Sequence, residues 1–448
     1  MSVNRQPVSR QRRRETIDAL RAGTVPKRGL DLLAVGMDRF ALAVDSELDS
    51  VRSGSGVLKA VRGEYGSGKT FFARWLQERA KRAGFAVAEV QISETETPLH
   101  RLETVYRRLM ERLSTADQEQ GAFRSIVDGW FFALEEDLLQ ENGGQQLEEA
   151  VLLERTNELM EKRLASITKM APAFAATLRA YRSALAEGNV AEAEALLAWV
   201  AGQPNVSASA KRRAGIKGDV DHFGALSFLQ GLLVLLRDAG YAGLLVVLDE
   251  VETLQRVRGD IREKGLNALR QLIDELYGGR FQGLYLLITG TPAFFTGPQG
   301  AQRLPPLSQR LHVEFGPDDK FDNPRAIQVR LRNFDMSGLN EVGRKVRDLF
   351  AEGSPAADRV HQLASDAYLE AFANAMVGAL GGKVGLAPRL YLKKLVDVLD
   401  RIEQFPDFDP RKDYGLALAD AELSLEERAV ASSTGSAASG VDDIKLKL

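Results

Sequence analysis

The stretch with the clearest chemistry is Gly63-Glu64-Tyr65-Gly66-Ser67-Gly68-Lys69-Thr70, which fits the pattern GxxxxGK(S/T). Glycines in this pattern let backbone N–H groups close around phosphate oxygens. Lys69 can reach the β- and γ-phosphates of a nucleotide, and the Thr70 hydroxyl can ligand Mg²⁺. We therefore expect a phosphate-binding loop, with nucleotide contacts from Gly63, Glu64, Tyr65, Gly66, Ser67, Gly68, Lys69, Thr70 and Phe71.

Two acidic residues, Asp249 and Glu250, follow the apolar run Leu244-Leu245-Val246-Val247-Leu248. A carboxylate at the end of a buried strand can hold Mg²⁺ beside a phosphate-binding loop. A second carboxylate can polarise the attacking water. We assign Asp249 to the metal and Glu250 to catalysis. The alternatives are that both acids merely open a helix, where the dipole favours them, or that Glu252 is the base.

Hydroxyls at the end of the next predicted strand could orient water against the γ-phosphate. Thr289 is the first candidate and Thr291 the reserve, because a parallel sheet brings this strand end beside the phosphate loop. The alternative for Thr289 is a simple cap of the strand end.

Arginines can add positive charge to a phosphoryl-transfer transition state, and a neighbouring subunit can supply them. Arg310 is the candidate for that role, and Arg303 competes with it. Arg389 follows Pro388, a residue favoured at helix starts, and could reach the γ-phosphate from the first turn of a helix. Each of these arginines could instead form ordinary surface or helix-end contacts.

The segment around Val35 and Gly36 is an apolar turn before the first strand and could wall the base of a nucleotide. The four histidines are dispersed without metal-ligand spacing, and no Gly-x-Ser-x-Gly elbow is present. The sequence therefore offers one candidate reaction centre.

The bulk composition is that of a soluble globular protein. The chain has 448 residues, 44% hydrophobic and 27% charged, with a net charge of −3. It contains no cysteine, which excludes disulfides, thiol catalysis and cysteine zinc sites. No apolar run reaches membrane-spanning length, and the arginine-rich N-terminus lacks the apolar core of a secretory signal. We expect a cytoplasmic protein without membrane contact.

Two basic runs are candidates for nucleic-acid contact, Arg10–Arg14 within a polar N-terminal arm and Lys211–Arg213 within an apparent loop at 207–219. The alternative for both is ordinary solvated surface. Strands are predicted at 57–61, 84–93, 244–248, 283–288 and 311–315, with three to five helices inserted between 118 and 220.

The order of these parts resembles an AAA+ ATPase of the additional-strand class. The resemblance makes Arg310 an arginine finger and Gly385-Leu386-Ala387-Pro388-Arg389 a second sensor ahead of a helical lid. More narrowly, the chain resembles the ATP-binding proteins of BREX phage-defence systems, of the BrxD type. The similar segments are 28–33, 62–70, 98–106, 289–295 and 321–325.

This resemblance implies an α/β P-loop NTPase fold with a parallel five-stranded sheet core, an inserted helical segment and a C-terminal helical lid. It also implies ATP and Mg²⁺ as cofactors, and a role against phage DNA beside a helicase or methyltransferase partner. The expected domains are a basic arm and short helix (1–24), the first part of the core (25–117), the insertion (118–220), the second part of the core (221–335), the lid (336–412) and a mostly disordered tail (413–448).

Our main hypothesis is a Mg²⁺-dependent ATPase that assembles as a homo-oligomer, with DNA as an expected partner. A nucleotide-switched scaffold with little turnover is the first alternative, although the intact acidic pair and the arginines argue against it. A DNA-translocating motor is the second, and no helicase motif set follows the acidic pair.

Overall fold

The chain divides into two compact units in a computed structural model that describes residues 8–141, 148–379 and 388–416. The sheet unit comprises Ala43–Val61 and Arg79–Val329. The loop unit comprises the described parts of Met1–Leu42, Arg62–Glu78 and Arg330–Leu448. Among the described residues, no helix combines the length and apolar character needed to cross a lipid bilayer.

Five strands form one sheet in the order β2-β3-β4-β1-β5. The strands are β1 (Val57–Arg62), β2 (Ala86–Gln91), β3 (Leu244–Asp249), β4 (Leu284–Gly290) and β5 (Gln328–Arg330). β2, β3 and β4 pair in parallel. β1 and β5 also run parallel, because Ala60 N donates to Ile327 O and Leu331 N donates to Arg62 O. The predicted five-stranded parallel sheet is confirmed.

The central strands are apolar on both faces, as a parallel sheet covered by helices requires. Every residue of β3 and of β4 is buried. β4 lies between β1, which leads into the phosphate loop, and β3, which ends in the acidic pair. The strand whose end carries Thr289 therefore lies beside the strand that leads into the phosphate loop, as the sequence analysis expected.

Helices make up most of the rest of the chain. They are α1 (Arg10–Arg21), α2 (Leu30–Leu33), α3 (Asp38–Arg52), α4 (Lys69–Arg82), α5 (Leu102–Arg112), α6 (Phe123–Glu141), α7 (Glu149–Met170), α8 (Pro172–Ala186), α9 (Val190–Val200), α10 (Ala208–Arg213), α11 (His222–Asp238), α12 (Gly259–Tyr277), α13 (Pro292–Thr296), α14 (Pro305–Leu311), α15 (Met336–Ala351), α16 (Ala357–Leu363), α17 (Asp366–Ala379), α18 (Pro388–Gln404) and α19 (Pro410–Asp413). Short 3₁₀ helices lie at Val251–Gln255 and Ala301–Arg303.

The fifth strand was predicted at 311–315, and that position is wrong. Leu311 ends α14, and the residues after it form neither helix nor strand. Two prolines at the start of α14 fix a helical entry, which carries the helix through Arg310. The strand that completes the sheet is β5, only three residues long, at a position where no strand was predicted.

The segment predicted as an insertion, residues 118–220, contains α6 to α10 in its described part, in agreement with the three to five helices predicted. Its large side chains, including Trp130, Phe174 and Tyr181, join the core that also covers the sheet. The apparent loop at 207–219 is partly helical, because the Ser207 hydroxyl accepts from Ala210 N and caps α10. Within α10, Lys211 pairs with Asp219, and Arg213 pairs with Glu187 and Glu192.

The N-terminal arginine run is also helical rather than an extended arm. Ser9 caps α1, which begins at Arg10 and therefore contains the whole run. Arg12 contacts the carboxylates of Asp31 and Glu78. Part of this run therefore stabilises the loop unit.

Helices α15 to α18, the predicted lid, form a second core (the lid core) together with α1, which packs through Ile17 and Leu20. Tyr391 and Leu395 of α18 are fully buried in it. Most of the predicted tail lies outside the described residues, as do Gly385, Leu386 and Ala387 of the predicted second sensor.

Candidate nucleotide site

The phosphate loop occupies the turn between β1 and α4, as the motif requires. Gly66 and Gly68 adopt φ values of +78° and +91°, in the region that residues with a Cβ rarely enter. α4 starts at Lys69, directly after the second of these glycines. The N–H groups and dipole of this first turn are therefore aimed at the loop, which suits an anion.

Gly63 is required for a different reason, the close approach of Ser67. A Cβ at Gly63 would lie 2.1 Å from the Ser67 hydroxyl. That hydroxyl is buried and has no hydrogen-bond partner among the described residues. An unsatisfied buried hydroxyl is costly, so a phosphate-type acceptor in this cradle would stabilise it.

Lys69 folds onto the loop that it is expected to serve. Its ammonium donates to Gly63 O at 3.0 Å and to Glu64 O at 3.2 Å. Thr70 follows in the first turn of α4 and is half-buried. Both side chains lie where the motif places a phosphate-binding lysine and a metal-binding hydroxyl.

Val35, Gly36 and Phe71, the remaining predicted nucleotide contacts, also belong to the loop unit. Val35 and Phe71 are partly buried against the lid core. Gly36 is exposed, with φ of +70°. Their contact with a nucleotide base stays a prediction.

In the sheet unit, the acidic strand and its neighbour bring Asp249 and Thr289 together. Asp249 is 5% exposed and Thr289 is fully buried. The Thr289 hydroxyl donates to Asp249 Oδ1, and Glu250 N donates to the same oxygen at 3.1 Å. A carboxylate fixed by two donors is held in one orientation, which suits a metal ligand.

Glu250 has an unusual backbone, with φ of +60° and ψ of +42°. Its N–H also reaches Thr289 Oγ1 at 3.2 Å, so the neighbouring strand holds this conformation. Such left-handed conformations in residues other than glycine cost energy and are concentrated at functional sites. Glu252 is half-buried in the 3₁₀ helix that follows.

Gln91, the last residue of β2, was not among the predicted site residues. Its side-chain amide donates to Glu250 Oε2 at 3.0 Å. The strand register places Gln91 opposite Asp249, which brings the amide beside the acidic pair. The available signal in the sequence was a polar residue at the end of an apolar strand. Only the pairing of β2 with β3 shows that this residue lies beside the acidic pair.

Arg310 lies in the last turn of α14, within the sheet unit, rather than before a strand. Its Nε contacts the Asp274 carboxylate, and its Nη1 donates to Pro306 O at 3.0 Å. Arg303, its competitor, is exposed at the end of a 3₁₀ helix. Thr291 is half-buried directly before α13.

Arg389 lies in the first turn of α18, as predicted from Pro388. Its side chain is exposed and passes close to Gly23, where an added Cβ would be 3.8 Å from Nη1. Its role as a second sensor stays a prediction.

The residues present fit ATP and Mg²⁺. The cradle at Gly63 and the buried Ser67 hydroxyl suit phosphate, and Lys69 supplies a cation. Among the described residues, no group of three or more His, Asp or Glu side chains could hold a metal ion. Mg²⁺ in phosphoryl-transfer sites needs only one or two protein ligands, because phosphates and water complete its shell. Asp249 in the sheet unit and Thr70 in the loop unit each carry an oxygen of the type that serves as such a ligand, and their joint role in binding Mg²⁺ stays a prediction.

Comparison with known proteins identifies the family. The family model of the BREX system ATP-binding protein BrxC/D matches residues 8–417. A solved structure of the Aeropyrum pernix ORC2 protein, in ADPNP–ADP complexes, matches at 12% identity and a TM-score of 0.33. That match covers 81% of this chain and 67% of the ORC2 chain. No curated protein sequence matches significantly. The family match spans nearly all of the sequence, so this chain belongs to the BREX system ATP-binding protein BrxC/D family.

Proposed function

We propose that this chain is a Mg²⁺-dependent ATPase that hydrolyses ATP as a homo-oligomer in bacterial BREX defence. Family membership supports ATP binding and the defence context. Hydrolysis is inferred from the side chains at the ends of the strands. Lys69 and the backbone of residues 63–70 would hold the phosphates, and Thr70 and Asp249 would be ligands of Mg²⁺.

The observation that carries this proposal is the cluster at the carboxyl ends of β2, β3 and β4. Thr289 and the Glu250 N–H fix the Asp249 carboxylate, whereas Gln91 holds the Glu250 carboxylate. Two adjacent acids are thereby oriented separately, by different partners. A nucleotide-binding scaffold without turnover has no need of a second oriented carboxylate, so this division favours a metal ligand beside a general base.

The direct test is phosphate release by wild type and by Glu250→Gln, with Glu252→Gln as the matched control. We expect Glu250→Gln to lower kcat by about 100-fold or more, as for loss of a general base, while ATP affinity remains. Glu252→Gln should retain most of the activity. Undiminished turnover in Glu250→Gln would refute its assignment as the general base. Loss of turnover in Glu252→Gln alone would assign the general base to Glu252.

A second test separates binding from hydrolysis. Lys69→Ala should abolish binding of a fluorescent ATP analogue, because the main cation of the loop is removed. Asp249→Asn should instead bind nucleotide and require more Mg²⁺ for turnover, since a neutral amide is a weaker metal ligand. If wild type binds ATP but releases no phosphate above background, the switched scaffold is the correct function.

We propose further that Arg310 acts on the ATP of a neighbouring subunit. An arginine supplied in this way is worth about 10³–10⁵ in kcat, so the specific activity should rise with protein concentration. Arg310→Ala should abolish that rise, whereas Arg303→Ala should keep it. The opposite pattern would make Arg303 the acting residue. If the specific activity of wild type and both variants did not depend on protein concentration, neither arginine would act on a neighbouring subunit.

DNA and a helicase or methyltransferase remain the proposed partners, on the basis of the family context. The basic runs support DNA contact less than the sequence suggested, because Arg12, Lys211 and Arg213 all contact carboxylates. Binding through phosphates would weaken steeply between low and physiological salt. A flat salt dependence would indicate protein partners, and strand displacement in the presence of ATP would support a motor.

A further inference from the structure

Asp274 on α12 connects two arginines of the sheet unit. Its Oδ2 accepts from Arg270 Nη1 at 2.7 Å, and its Oδ1 contacts Arg310 Nε. Arg270 lies four residues earlier on the same helix, whereas Arg310 comes from α14. Each carboxylate oxygen therefore faces one arginine, and the buried Oδ1 meets Arg310 as an ion pair.

The guanidinium of Arg310 is held at two of its three nitrogens. Nε contacts Asp274, and Nη1 donates to Pro306 O at 3.0 Å on its own helix. α14 itself is fixed because Leu307 and Leu311 are buried in the core. The Arg310 side chain is nevertheless 35% exposed. Its remaining nitrogen, Nη2, makes no hydrogen bond to the described residues.

We propose that Asp274 is a positioning residue that presents Arg310 to the phosphate of an adjacent subunit. This inference rests on the trans role proposed for Arg310. A free arginine side chain populates many rotamers, and ordering it beforehand removes that entropic cost at the moment of catalysis. Asp274 supplies the order through Nε, and the outer edge of the guanidinium stays available for phosphate oxygens.

The first experiment compares Asp274→Ala, Asp274→Glu and a matched control in steady-state ATP hydrolysis. Glu275→Ala is the control, because Glu275 is the next residue on α12, is 30% exposed and pairs with Arg280 at 3.1 Å. We expect Asp274→Ala to lower kcat by about 10-fold to 100-fold, the loss typical of a misplaced group, with KM for ATP unchanged. Asp274→Glu should recover part of the loss, and Glu275→Ala should match wild type.

The second experiment assigns the effect to the subunit that donates the arginine. Arg310→Ala subunits keep their own Glu250, and Glu250→Gln subunits keep their own Arg310, so a mixture of the two should regain activity. In a second mixture, the double variant Glu250→Gln/Asp274→Ala replaces Glu250→Gln. The ATPase activity regained should then be lower by about 10-fold or more. Equal recovery with and without Asp274→Ala would overturn the positioning role.

The outcomes for this inference and for the proposed function are distinct. If Arg310→Ala is as active as wild type, the trans role fails, and the role of Asp274 fails with it. If Arg310→Ala is impaired and Asp274→Ala is not, only the positioning role fails. Equal losses in Asp274→Ala and Glu275→Ala would also overturn it, because the effect would then reflect α12 in general.

Discussion

Replacement of Lys59 by Met should destabilise the sheet unit strongly and make its stability depend on pH. Lys59 lies on β1 and is 1% exposed. Its ammonium contacts the Glu47 carboxylate and donates to Pro324 O at 2.9 Å and Ala326 O at 2.8 Å. It therefore ties the strand before the phosphate loop to α3 and to the segment that leads into β5.

The magnitude follows from what the substitution leaves behind. Removing one partner of a buried ion pair typically costs about 3–5 kcal/mol. The two carbonyls also lose a charged donor, at roughly 1–3 kcal/mol for each group left unsatisfied. Met keeps the apolar stem of the side chain, and the Tyr285 hydroxyl still donates to Glu47 at 2.5 Å. The lower ends of these ranges together give an expected loss of about 5 kcal/mol in the free energy of unfolding at neutral pH.

The pH dependence is the more specific signature. Burial raises the pKa of Glu47 in the wild-type protein, and the nearby Lys59 charge opposes that rise. Without Lys59, the pKa of Glu47 in the folded state rises further. The pKa of this carboxyl group in the unfolded chain is about 4.3. Between that pH and the raised pKa of the folded state, the folded protein binds more protons than the unfolded chain. The free energy of unfolding therefore falls as the pH increases through this interval. The variant should be less destabilised at pH 5 than at pH 8.

Urea unfolding followed by circular dichroism at both pH values measures this effect. Lys59→Met combined with Glu47→Gln is the control, since it has no carboxyl group at this position and its destabilisation should not change between the two pH values. A loss below about 1 kcal/mol would place Lys59 in the class of exposed ion pairs and refute the reasoning. The same destabilisation at pH 5 and pH 8 would refute the role of Glu47.

The remaining predictions concern single contacts. Gly63→Ala should lower the affinity for a fluorescent ATP analogue by about 10-fold or more, because its Cβ would lie 2.1 Å from a serine hydroxyl of the loop. The circular dichroism spectrum should not change. An unchanged affinity would mean that the loop can shift to accept the Cβ. Gln91→Ala should lower kcat by about 10-fold with KM unchanged, since Glu250 loses an orienting donor; wild-type kcat would show that the contact is not used in turnover. Arg12→Ala should cost about 1–2 kcal/mol in thermal unfolding because it contacts two carboxylates, whereas the exposed Arg10→Ala should cost less than about 0.5 kcal/mol; equal effects would restore the interpretation of the run as a solvated arm.

Local patterns were sufficient for the phosphate loop and the acidic strand. The glycine spacing at residues 63–68 is typical of a phosphate-binding turn. The apolar run at 244–248 matches a strand buried on both faces. The position of Thr289 followed from the same logic. In each case the signal lies within a few consecutive residues, so no knowledge of distant contacts was needed.

The errors arose where distant residues decide the structure. β5 is only three residues long and is a strand because β1 pairs with it, as the bond from Ala60 N to Ile327 O shows. Gln91 contributes to the site only because β3 lies beside β2. Arg12 has a structural role because Glu78 comes within 3.2 Å, and Arg310 has a partner on another helix. No window of sequence around any of these residues contains its partner.

The strand order has a consequence for synthesis of the chain on the ribosome. β1 (Val57–Arg62) lies between β4 (Leu284–Gly290) and β5 (Gln328–Arg330), so both of its neighbours are translated long after it. At roughly 5–20 residues per second, the strand that carries the phosphate loop waits on the order of ten seconds or longer for its first partner. During that interval its unpaired backbone N–H and C=O groups and its apolar side chains are open to other chains, which makes the nascent protein a natural client of chaperones.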